Sequence, residues 1–250
     1  MSPSNATQHL HDPLLSVVVP AYNEEDTLEQ VLRAVMDLPL RKEVVVVDDG
    51  SVDGTPALLL RLAAELPDLR PLIQPSNRGK GAAVRTGIDA TLGDIVLIQD
   101  ADLEYSPTDL PALLQPLLDG RADVVYGTRL RGGQPQRAHL FWHYAGNKML
   151  SLFTGMLFNT TISDMEVGYK AFKGDLVRSL ELVSDDFRFE PEVTARVLNI
   201  PGIRLYEVPI SYYGRTFEEG KKITWRDGFK ALSALIRFRA LTWREARRRP

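Results

Sequence analysis

The stretch Val96-Leu97-Ile98-Gln99-Asp100-Ala101-Asp102-Leu103-Glu104 is an apolar run that ends abruptly in three acidic residues at alternate positions. Such a run is typical of a buried strand, and a buried strand does not tolerate unpaired charge. We therefore expect the acidic residues to lie just beyond the strand's carboxyl end. Alternate residues of an extended chain point the same way, so Asp100, Asp102 and Glu104 are candidate ligands of one Mg²⁺ or Mn²⁺ ion. The alternative is a solvated acidic turn.

Three further apolar runs precede this strand, and segments with the apolar spacing of helices separate all four. The runs are Leu14 to Pro20, Glu43 to Val47 and Leu72 to Gln74. Alternation of strands and helices predicts an α/β fold with a mostly parallel sheet and helices on both faces. Ligands of such sheets bind at the carboxyl ends of the strands.

The chemically distinctive residues follow that rule, because each group comes directly after a predicted strand. The groups are Tyr22 and Glu24, Asp48 and Asp49, Arg78 to Lys80, and Asp100 and Asp102. A single loop of this kind is readily explained as a solvated turn. Four such loops at one edge of one sheet indicate a ligand-binding cleft.

The second half of the chain has two segments with more than one interpretation. Leu140 to Phe158 is apolar and aromatic, and it fits a pair of core helices as well as an amphipathic surface that contacts lipid. Thr224 to Arg249 is helical by pattern and rich in arginine, so it either packs on the domain or lies on anionic lipid. We expect a loose tail over residues 1–13, one domain over 14–222 and a basic amphipathic helical extension over 223–250.

Composition excludes several classes of protein. The 250 residues include no Cys, which excludes disulfides, thiolate catalysis and Cys-ligated zinc, and the net charge of -3 gives no reason to expect nucleic acid as a partner. Residues 1–13 do not resemble a signal peptide, and no apolar run has the length of about 18 residues that a membrane-spanning helix needs. We expect a cytoplasmic protein whose contact with the inner face of the cell membrane is at most peripheral. The first strand is not followed by Gly-x-Gly-x-x-Gly, which argues against a nicotinamide dehydrogenase.

Four short motifs occur in a characteristic order: Pro20 to Glu24, Val47 to Ser51, Asn77 to Gly81 and Asp100 to Asp102. Through them the chain resembles the family-2 inverting glycosyltransferases of GT-A fold, a Rossmann-like α/β fold. Within that family it most resembles the dolichyl-phosphate mannose synthase group and related polyprenyl-phosphate glycosyltransferases. The residues behind the narrower resemblance are Gly127-Thr128-Arg129, Ser163-Asp164-Met165-Glu166, and Arg215 with Lys221 six positions later.

The resemblance implies a nucleotide-sugar site built from these motifs. Its members would be Pro20, Ala21, Tyr22, Glu24, Val47, Asp49, Lys80, Asp100, Ala101, Asp102, Arg129, Arg215 and Lys221. Pro20, Tyr22 and Glu24 would contact the base and ribose, and Val47 and Asp49 would close the base pocket. Asp100 and Ala101 would touch the ribose and the sugar phosphate.

The resemblance also implies how charge is handled at the site. Asp102 would ligate the metal ion, with Asp100 and Glu104 beside it, and Arg129, Arg215 and Lys221 would engage phosphates. Glu104 stands where relatives of the mannose synthase type often carry Gln, which leaves the identity of the donor open.

The chemistry of the acceptor decides whether a general base is needed. A sugar hydroxyl needs one, whereas a phosphomonoester, whose second pKa is about 6, is already anionic near neutrality. Asp164 would orient the acceptor or a cationic neighbour, or serve as the base for a hydroxyl acceptor. The candidate catalytic residues are therefore Asp102, Asp164, Arg129 and Arg215.

The leading hypothesis is inverting transfer of a hexosyl unit from GDP-mannose or a UDP-sugar to a polyprenyl phosphate, either dolichyl or undecaprenyl. One alternative is transfer to a saccharide or small-molecule hydroxyl, and another is a non-catalytic protein that binds nucleotide sugars.

Overall fold

The computed structural model describes residues 12–135, 137, 141–214 and 225–246, with the side chains of the last helix described from 228 to 240. In this part of the chain seven strands form one sheet. The strands are β1 (Leu15–Ala21), β2 (Lys42–Asp48), β3 (Leu69–Ile73), β4 (Ile95–Ile98), β5 (Val124–Thr128), β6 (Lys170–Lys173) and β7 (Leu205–Pro209). Their order across the sheet is β3-β2-β1-β4-β6-β5-β7.

Helices separate most consecutive strands, as the alternation of patterns predicts. They are α1 (Leu28–Met36), α2 (Thr55–Glu65), α3 (Lys80–Asp89), α4 (Leu110–Leu118), α5 (Phe141–Phe158), α6 (Gly174–Arg178), α7 (Phe189–Leu198) and α8 (Trp225–Ala246). A single 3₁₀ turn at Pro107–Asp109 leads into α4. The prediction of a mostly parallel α/β sheet is confirmed.

The two faces of the sheet are covered by different helices. In β2, Val44 and Val46 belong to the main core with residues of α1 and α2, while Val45 and Val47 pack with Ala83 of α3. Neighbouring residues of the strand thus face opposite layers. Burial on both faces explains why the strands read as continuous apolar runs instead of alternating patterns.

Strand β6 is the one described strand that runs against its neighbours. It pairs antiparallel with β4, placing Lys170 opposite Ile98, and antiparallel with β5, placing Lys170 opposite Tyr126. The amino end of β6 therefore lies at the carboxyl ends of β4 and β5. The segment that enters β6 is consequently brought to the edge where ligands bind in sheets of this kind.

The described part of the apolar segment, Phe141–Phe158, forms one helix, α5, rather than a pair. Helix α8 contacts both α5 and α7, and its Leu235 and Phe238 are buried. Arg239 of α8 donates to Asn199 at 2.7 Å, so this helix packs on the domain along one side. The boundaries expected for the domain and for its extension stay predictions.

Candidate active site

The carboxyl ends of β1, β2 and β4 lie side by side. Ala21 pairs with Asp48 and Val18 pairs with Ile98, and the backbone N–H of Asp49 extends the pairing by donating to the carbonyl oxygen of Ala21 at 2.8 Å. The loops after these three strands therefore begin at one edge. This brings the regions around Tyr22, Asp49 and Asp100 together, as the rule for parallel sheets predicts.

The loop after β1 is tied to the loop after β2. Asn23, whose φ of 54° lies in the left-handed region, accepts from the N–H of Val52 at 2.9 Å and donates its own N–H to Ser51 at 2.9 Å. The N–H of Glu24 donates to the hydroxyl of Thr55 at 2.9 Å. These bonds fix the two loops relative to each other, with Pro20, Tyr22 and Glu24 each partly exposed and Ala21 buried beside them.

Asp49 holds the loop that follows β3. Its carboxylate accepts from the backbone N–H of Arg78 at 2.9 Å and of Gly79 at 2.8 Å. Gly79 has a φ of 102°, and a Cβ there would also clash with the backbone of Asp185, so only glycine suits this position. Burial raises the pKa of Asp49, and the two backbone donors act against that rise. Contact between Asp49 and a nucleotide base stays a prediction.

The side chain of Val47 faces the core. It is fully buried and packs with Ala83 in the layer beneath α3. From there it supports the end of β2, where Asp48 and Asp49 follow. Its part in closing the base pocket stays a prediction.

Lys80 stands at the first residue of α3 and binds the first of the three acidic residues. Its Nζ lies 2.7 Å from Oδ1 of Asp100 and 3.4 Å from Oε1 of Glu190. Lys170, which is fully buried, contacts the other carboxylate oxygen of Glu190 and the carbonyl oxygen of Val167. Burial lowers the pKa of Lys80, but the attraction of Asp100 and Glu190 outweighs it and raises the pKa overall. Two lysines and two carboxylates thus form one connected network beneath the cleft.

Glu190 and Lys170 are not among the residues predicted for the site, because neither belongs to one of the four motifs. Each has an ordinary interpretation as a solvated charge. A signal was nevertheless present in the sequence Phe189-Glu190-Pro191-Glu192, which places acidic residues at a helix start that is otherwise apolar.

The three acidic residues after β4 do not converge on one point. The described part of the chain contains no group of three or more His, Cys, Asp or Glu residues that could hold a metal ion. Residues 101–104 bend and turn instead of continuing extended, so alternate side chains no longer share a direction. Asp100 is paired with Lys80, and Glu104 accepts from the hydroxyl of Tyr212 at 3.1 Å. The described chain thus holds no ready-made cluster of the three carboxylates, and metal ligation by Asp102, with Asp100 and Glu104 beside it, stays a prediction.

Arg129 and Asp164 form an ion pair below this edge. The guanidinium donates to both carboxylate oxygens, at 2.8 Å from Nε and 2.7 Å from Nη2, and the backbone N–H of Arg129 adds a third bond at 2.9 Å. Asp164 is fully buried and Arg129 is 7% exposed. Of the roles expected for Asp164, orienting a cationic neighbour is the one that this geometry supports.

Aromatic side chains pack around the guanidinium of Arg129. Tyr105 accepts from its Nη1 at 3.3 Å, and Tyr212 lies with its ring centroid 5.0 Å from the guanidinium carbon. Tyr105 also stacks on Tyr169, with centroids 4.8 Å apart, and its hydroxyl accepts from the N–H of Gly168 at 3.1 Å. The aromatic residues connect the ion pair to the segment that enters β6.

Glu207 of β7 fixes the start of that segment. One of its carboxylate oxygens accepts from the N–H and hydroxyl of Ser163, both at 2.8 Å, and from the N–H of Asp164 at 3.1 Å. The other oxygen pairs with Arg131 at 3.0 Å. Sequence reasoning assigned Glu207 only to a half-buried strand, because nothing local indicates a contact with residues more than 40 positions earlier.

Arg215 and Lys221 lie outside the described residues. The described chain reaches Gly214, and shortly before it the N–H of Tyr213 donates to the carbonyl oxygen of Glu104 at 2.9 Å. Tyr212 bridges to Tyr105 in the same place. The chain therefore runs beside Glu104 shortly before Arg215, the first of the two expected cationic residues.

Helix α5 presents its apolar side outward. Leu150, Ser151 and Thr154 are buried, whereas Trp142 is 82% exposed and Met156 is 72% exposed. We call the exposed residues the α5 stripe: Phe141, Trp142, Met149, Leu152 and Met156. At 3.6 residues per turn they fall within an arc of about 100° on the helix. Exposed apolar residues grouped on one side of a helix form a candidate interaction surface.

Comparison with known proteins finds one matching family. Residues 16–173 match the model described as Glycosyl transferase family 2. The curated relatives include a polyprenol monophosphomannose synthase of Mycolicibacterium smegmatis, 32% identical over 80% of this chain and 77% of that protein. An undecaprenyl-phosphate mannosyltransferase of Micrococcus luteus is 32% identical over 82% of this chain and 85% of that protein.

A third relative is longer than this chain. The low-salt glycan biosynthesis hexosyltransferase Agl6 of Haloferax volcanii is 30% identical over 90% of this chain, which spans 53% of that protein. Among solved structures, glucosyl-3-phosphoglycerate synthase of Mycobacterium tuberculosis with Mn²⁺ and UDP-glucose superposes with a TM-score of 0.71. It is 21% identical, with 91% of this chain and 79% of that chain covered, which establishes a shared fold.

Proposed function

The chain belongs to glycosyl transferase family 2, and from that premise we propose that it transfers a hexosyl unit from a nucleoside-diphosphate sugar to a polyprenyl phosphate, with inversion at the anomeric carbon. The observation that carries the proposal is the shared edge at the carboxyl ends of β1, β2 and β4, where Tyr22, Asp49 and Asp102 follow three adjacent strands. A cleft at this edge is where a nucleotide binds in sheets of this kind.

The class of acceptor depends on whether the site has a carboxylate that can act as a general base. Asp164 is engaged by Arg129 through both carboxylate oxygens, so it is poorly placed to take a proton from a hydroxyl. An acceptor that is already anionic makes this unimportant, because a phosphomonoester needs no base near neutral pH. The names of the Mycolicibacterium and Micrococcus relatives, both of which specify polyprenyl phosphates, support the same class of acceptor.

The donor set at Asp102 suits Mg²⁺ or Mn²⁺. Mg²⁺ is commonly held by one or two carboxylates together with substrate phosphates, so the lack of a three-residue cluster in the described chain does not argue against it. Asp102 is partly exposed beside the cleft, and Asp100 and Glu104 lie two residues before and after it. When bound, the ion would supply Lewis-acid stabilisation of the charge that grows on the departing diphosphate.

The cations of the chain would bring two anions together. Donor and acceptor both carry phosphate, and their repulsion has to be overcome before transfer. Lys80 is held at the cleft by Asp100 and Glu190. Arg129, Arg215 and Lys221 are the residues that we assign to the phosphates, Arg by planar paired contacts and Lys as a point charge.

Contact with the membrane surface would bring the enzyme to its lipid acceptor. No described helix is long and apolar enough to cross a bilayer. The α5 stripe provides a continuous apolar surface that includes Trp142, a residue type enriched at lipid interfaces. Helix α8 adds exposed Phe229 and Ile236 beside Lys230 and Arg237, which combines apolar and cationic contacts.

A donor-by-acceptor panel tests the proposal. Purified protein with Mg²⁺ or Mn²⁺ is incubated with GDP-mannose and with several UDP-sugars, each against undecaprenyl phosphate, dolichyl phosphate and a saccharide acceptor. Mass spectrometry is expected to detect one lipid phosphate carrying a single hexosyl unit. Product only on the saccharide would favour the hydroxyl-acceptor alternative, and nucleotide binding without any product would favour a binding protein.

A further inference from the structure

The segment that enters β6 continues to pair with the chain beyond β4 after the strand ladder ends. Lys170 lies opposite Ile98, the hydroxyl of Tyr169 donates to Gln99, and Gly168 packs on the carboxylate of Asp100. A Cβ at Gly168 would collide with Oδ2 of Asp100. From Lys170 back to Gly168, each residue of this segment therefore lies beside the next residue beyond β4. Glu166 lies in the turn that precedes Gly168, near enough to Glu190 for the two carboxylates to interact.

Two glutamate oxygens near this edge have unused capacity as hydrogen-bond acceptors. Within the described chain, Oε1 of Glu166 and Oε1 of Glu190 are buried and accept no hydrogen bond. The nearest cation to the latter is Nζ of Lys80 at 3.4 Å, and Glu190 is only 4% exposed. Buried polar atoms are normally satisfied, because leaving one without a partner costs the free energy of removing it from water. Such atoms beside a substrate cleft point to a ligand that supplies the missing donors.

The charges around these oxygens restrict the chemistry of that ligand. Lys80 and Lys170 are balanced by Asp100 and Glu190, so Glu166 is an additional acidic group. A phosphate or a carboxylate placed there would be repelled, whereas a neutral hydroxyl would donate to either oxygen. Burial, with the proximity of Glu190, raises the pKa of Glu166 to about 7, so near neutral pH its protonated form can donate as well.

We propose that Glu166 and Glu190 bind hydroxyl groups of the donor sugar and thereby select a neutral hexosyl donor over an acidic one. The inference rests on the function proposed above and extends it to the specificity of the donor site. The sugar is the part of the donor closest to the leaving phosphate, and Asp100, which packs on Gly168 and pairs with Lys80, connects that region to both glutamates.

Titration calorimetry in the presence of Mn²⁺ tests this without any acceptor. For wild type and Glu166→Gln we compare the Kd of UDP with those of UDP-glucose, UDP-galactose and UDP-glucuronate, and the Kd of GDP with that of GDP-mannose. The wild type should bind one neutral donor about tenfold or more tightly than the uronate donor. In Glu166→Gln the affinity for the neutral donor should fall about tenfold, because a hydrogen bond to a carboxylate becomes a weaker bond to a neutral amide, while the affinity for the nucleoside diphosphate is unchanged.

Glu181→Gln is the matched control, because Glu181 is an exposed carboxylate outside the site. It should retain the wild-type ratio of nucleotide-sugar to nucleotide affinity. If Glu166→Gln does not fold, Glu166→Asp takes its place, because it keeps the charge and withdraws the carboxylate by one methylene. The same ratio of nucleotide-sugar to nucleotide affinity is then measured on that variant, and it should fall below the wild-type ratio.

An unchanged ratio in a folded Glu166 variant would overturn the inference while leaving the proposed function intact. Loss of turnover at unchanged donor affinity would also overturn it, and would identify Glu166 as a base for a hydroxyl acceptor. Failure of the wild type to bind any nucleoside diphosphate would refute both proposals together.

Discussion

Arg129 and Asp164 are joined by a buried, two-pronged ion pair, with Nη2 2.7 Å from Oδ1 and Nε 2.8 Å from Oδ2. They are 35 residues apart in the chain and connect the end of β5 to the segment entering β6. The pair fixes the orientation of a guanidinium close to the cleft. Both oxygens of the Asp164 carboxylate are engaged by Arg129, so this carboxylate is poorly placed to act as the general base that a hydroxyl acceptor would need.

Removing one partner of this pair should be costly. Asp164→Ala leaves the Arg129 guanidinium buried without a counter-charge, and we expect the free energy of unfolding to fall by about 3–5 kcal/mol. Urea denaturation followed by circular dichroism measures this. The double variant Asp164→Ala with Arg129→Met should be less destabilised than Asp164→Ala alone. A loss below about 1 kcal/mol in the single variant would show that the pair is not buried in solution.

The pH dependence of stability gives a second test, at Glu166. Its pKa is raised from 4.5 to about 7, first by burial and then by Glu190, so between these pH values the folded state holds a proton that the unfolded state has lost. The associated stabilisation is complete below pH 4.5 and is lost as pH rises through 7. Glu166→Gln removes this contribution, so its unfolding free energy relative to wild type should rise between pH 5 and pH 8. A constant difference across that range would contradict the raised pKa.

A methyl group at Gly168 should impair the site while leaving the fold intact. In Gly168→Ala the new Cβ would displace the Asp100 carboxylate from its position beside Lys80. We expect donor affinity, measured by calorimetry with Mn²⁺, to fall about tenfold or more. Gly146→Ala in α5 is the control, because nothing lies within 4 Å of its Cβ, and it should bind donor normally. Normal donor binding by Gly168→Ala would separate Asp100 from donor recognition.

The α5 stripe should control binding to lipid vesicles. We expect Trp142→Ser combined with Met149→Ser to weaken cosedimentation with phosphatidylethanolamine–phosphatidylglycerol vesicles about tenfold or more, because two large apolar contacts are lost. The comparison is Leu92→Ser, which removes a 74% exposed apolar residue elsewhere on the surface. Equal vesicle binding by both variants would exclude the stripe as a membrane contact.

Much of the fold could be predicted because the central strands are buried on both faces. The run ending at Val47 and the run ending at Ile98 are apolar throughout, and their positions were predicted within a residue or two. The reversed direction of β6 could not be predicted, because a four-residue strand containing Lys170 carries no local signal of its orientation. That reversal is nevertheless what brings Gly168 beside Asp100.

The positions of site residues that directly follow a strand could be predicted from the sequence. Contacts between residues far apart in the chain could not. Tyr22 and Asp49 follow their strands directly, so the sheet alone places them. The pairing of Lys80 with Glu190 depends on tertiary packing across more than 100 residues. Alternation alone does not bring Asp100, Asp102 and Glu104 together, because the chain turns after the strand and alternate side chains share a direction only while the backbone stays extended.

The central claim is that this glycosyltransferase uses an acceptor that is already ionised, so that cations and a metal at Asp102 replace a general base. The most direct test compares undecaprenyl phosphate with undecaprenol, which differ only in the phosphate, in the metal-dependent reaction with the donor found by the panel. The account predicts glycosylated product from the phosphate alone, and none from Asp102→Asn. Equal transfer to undecaprenol, or full activity in Asp102→Asn, would contradict it.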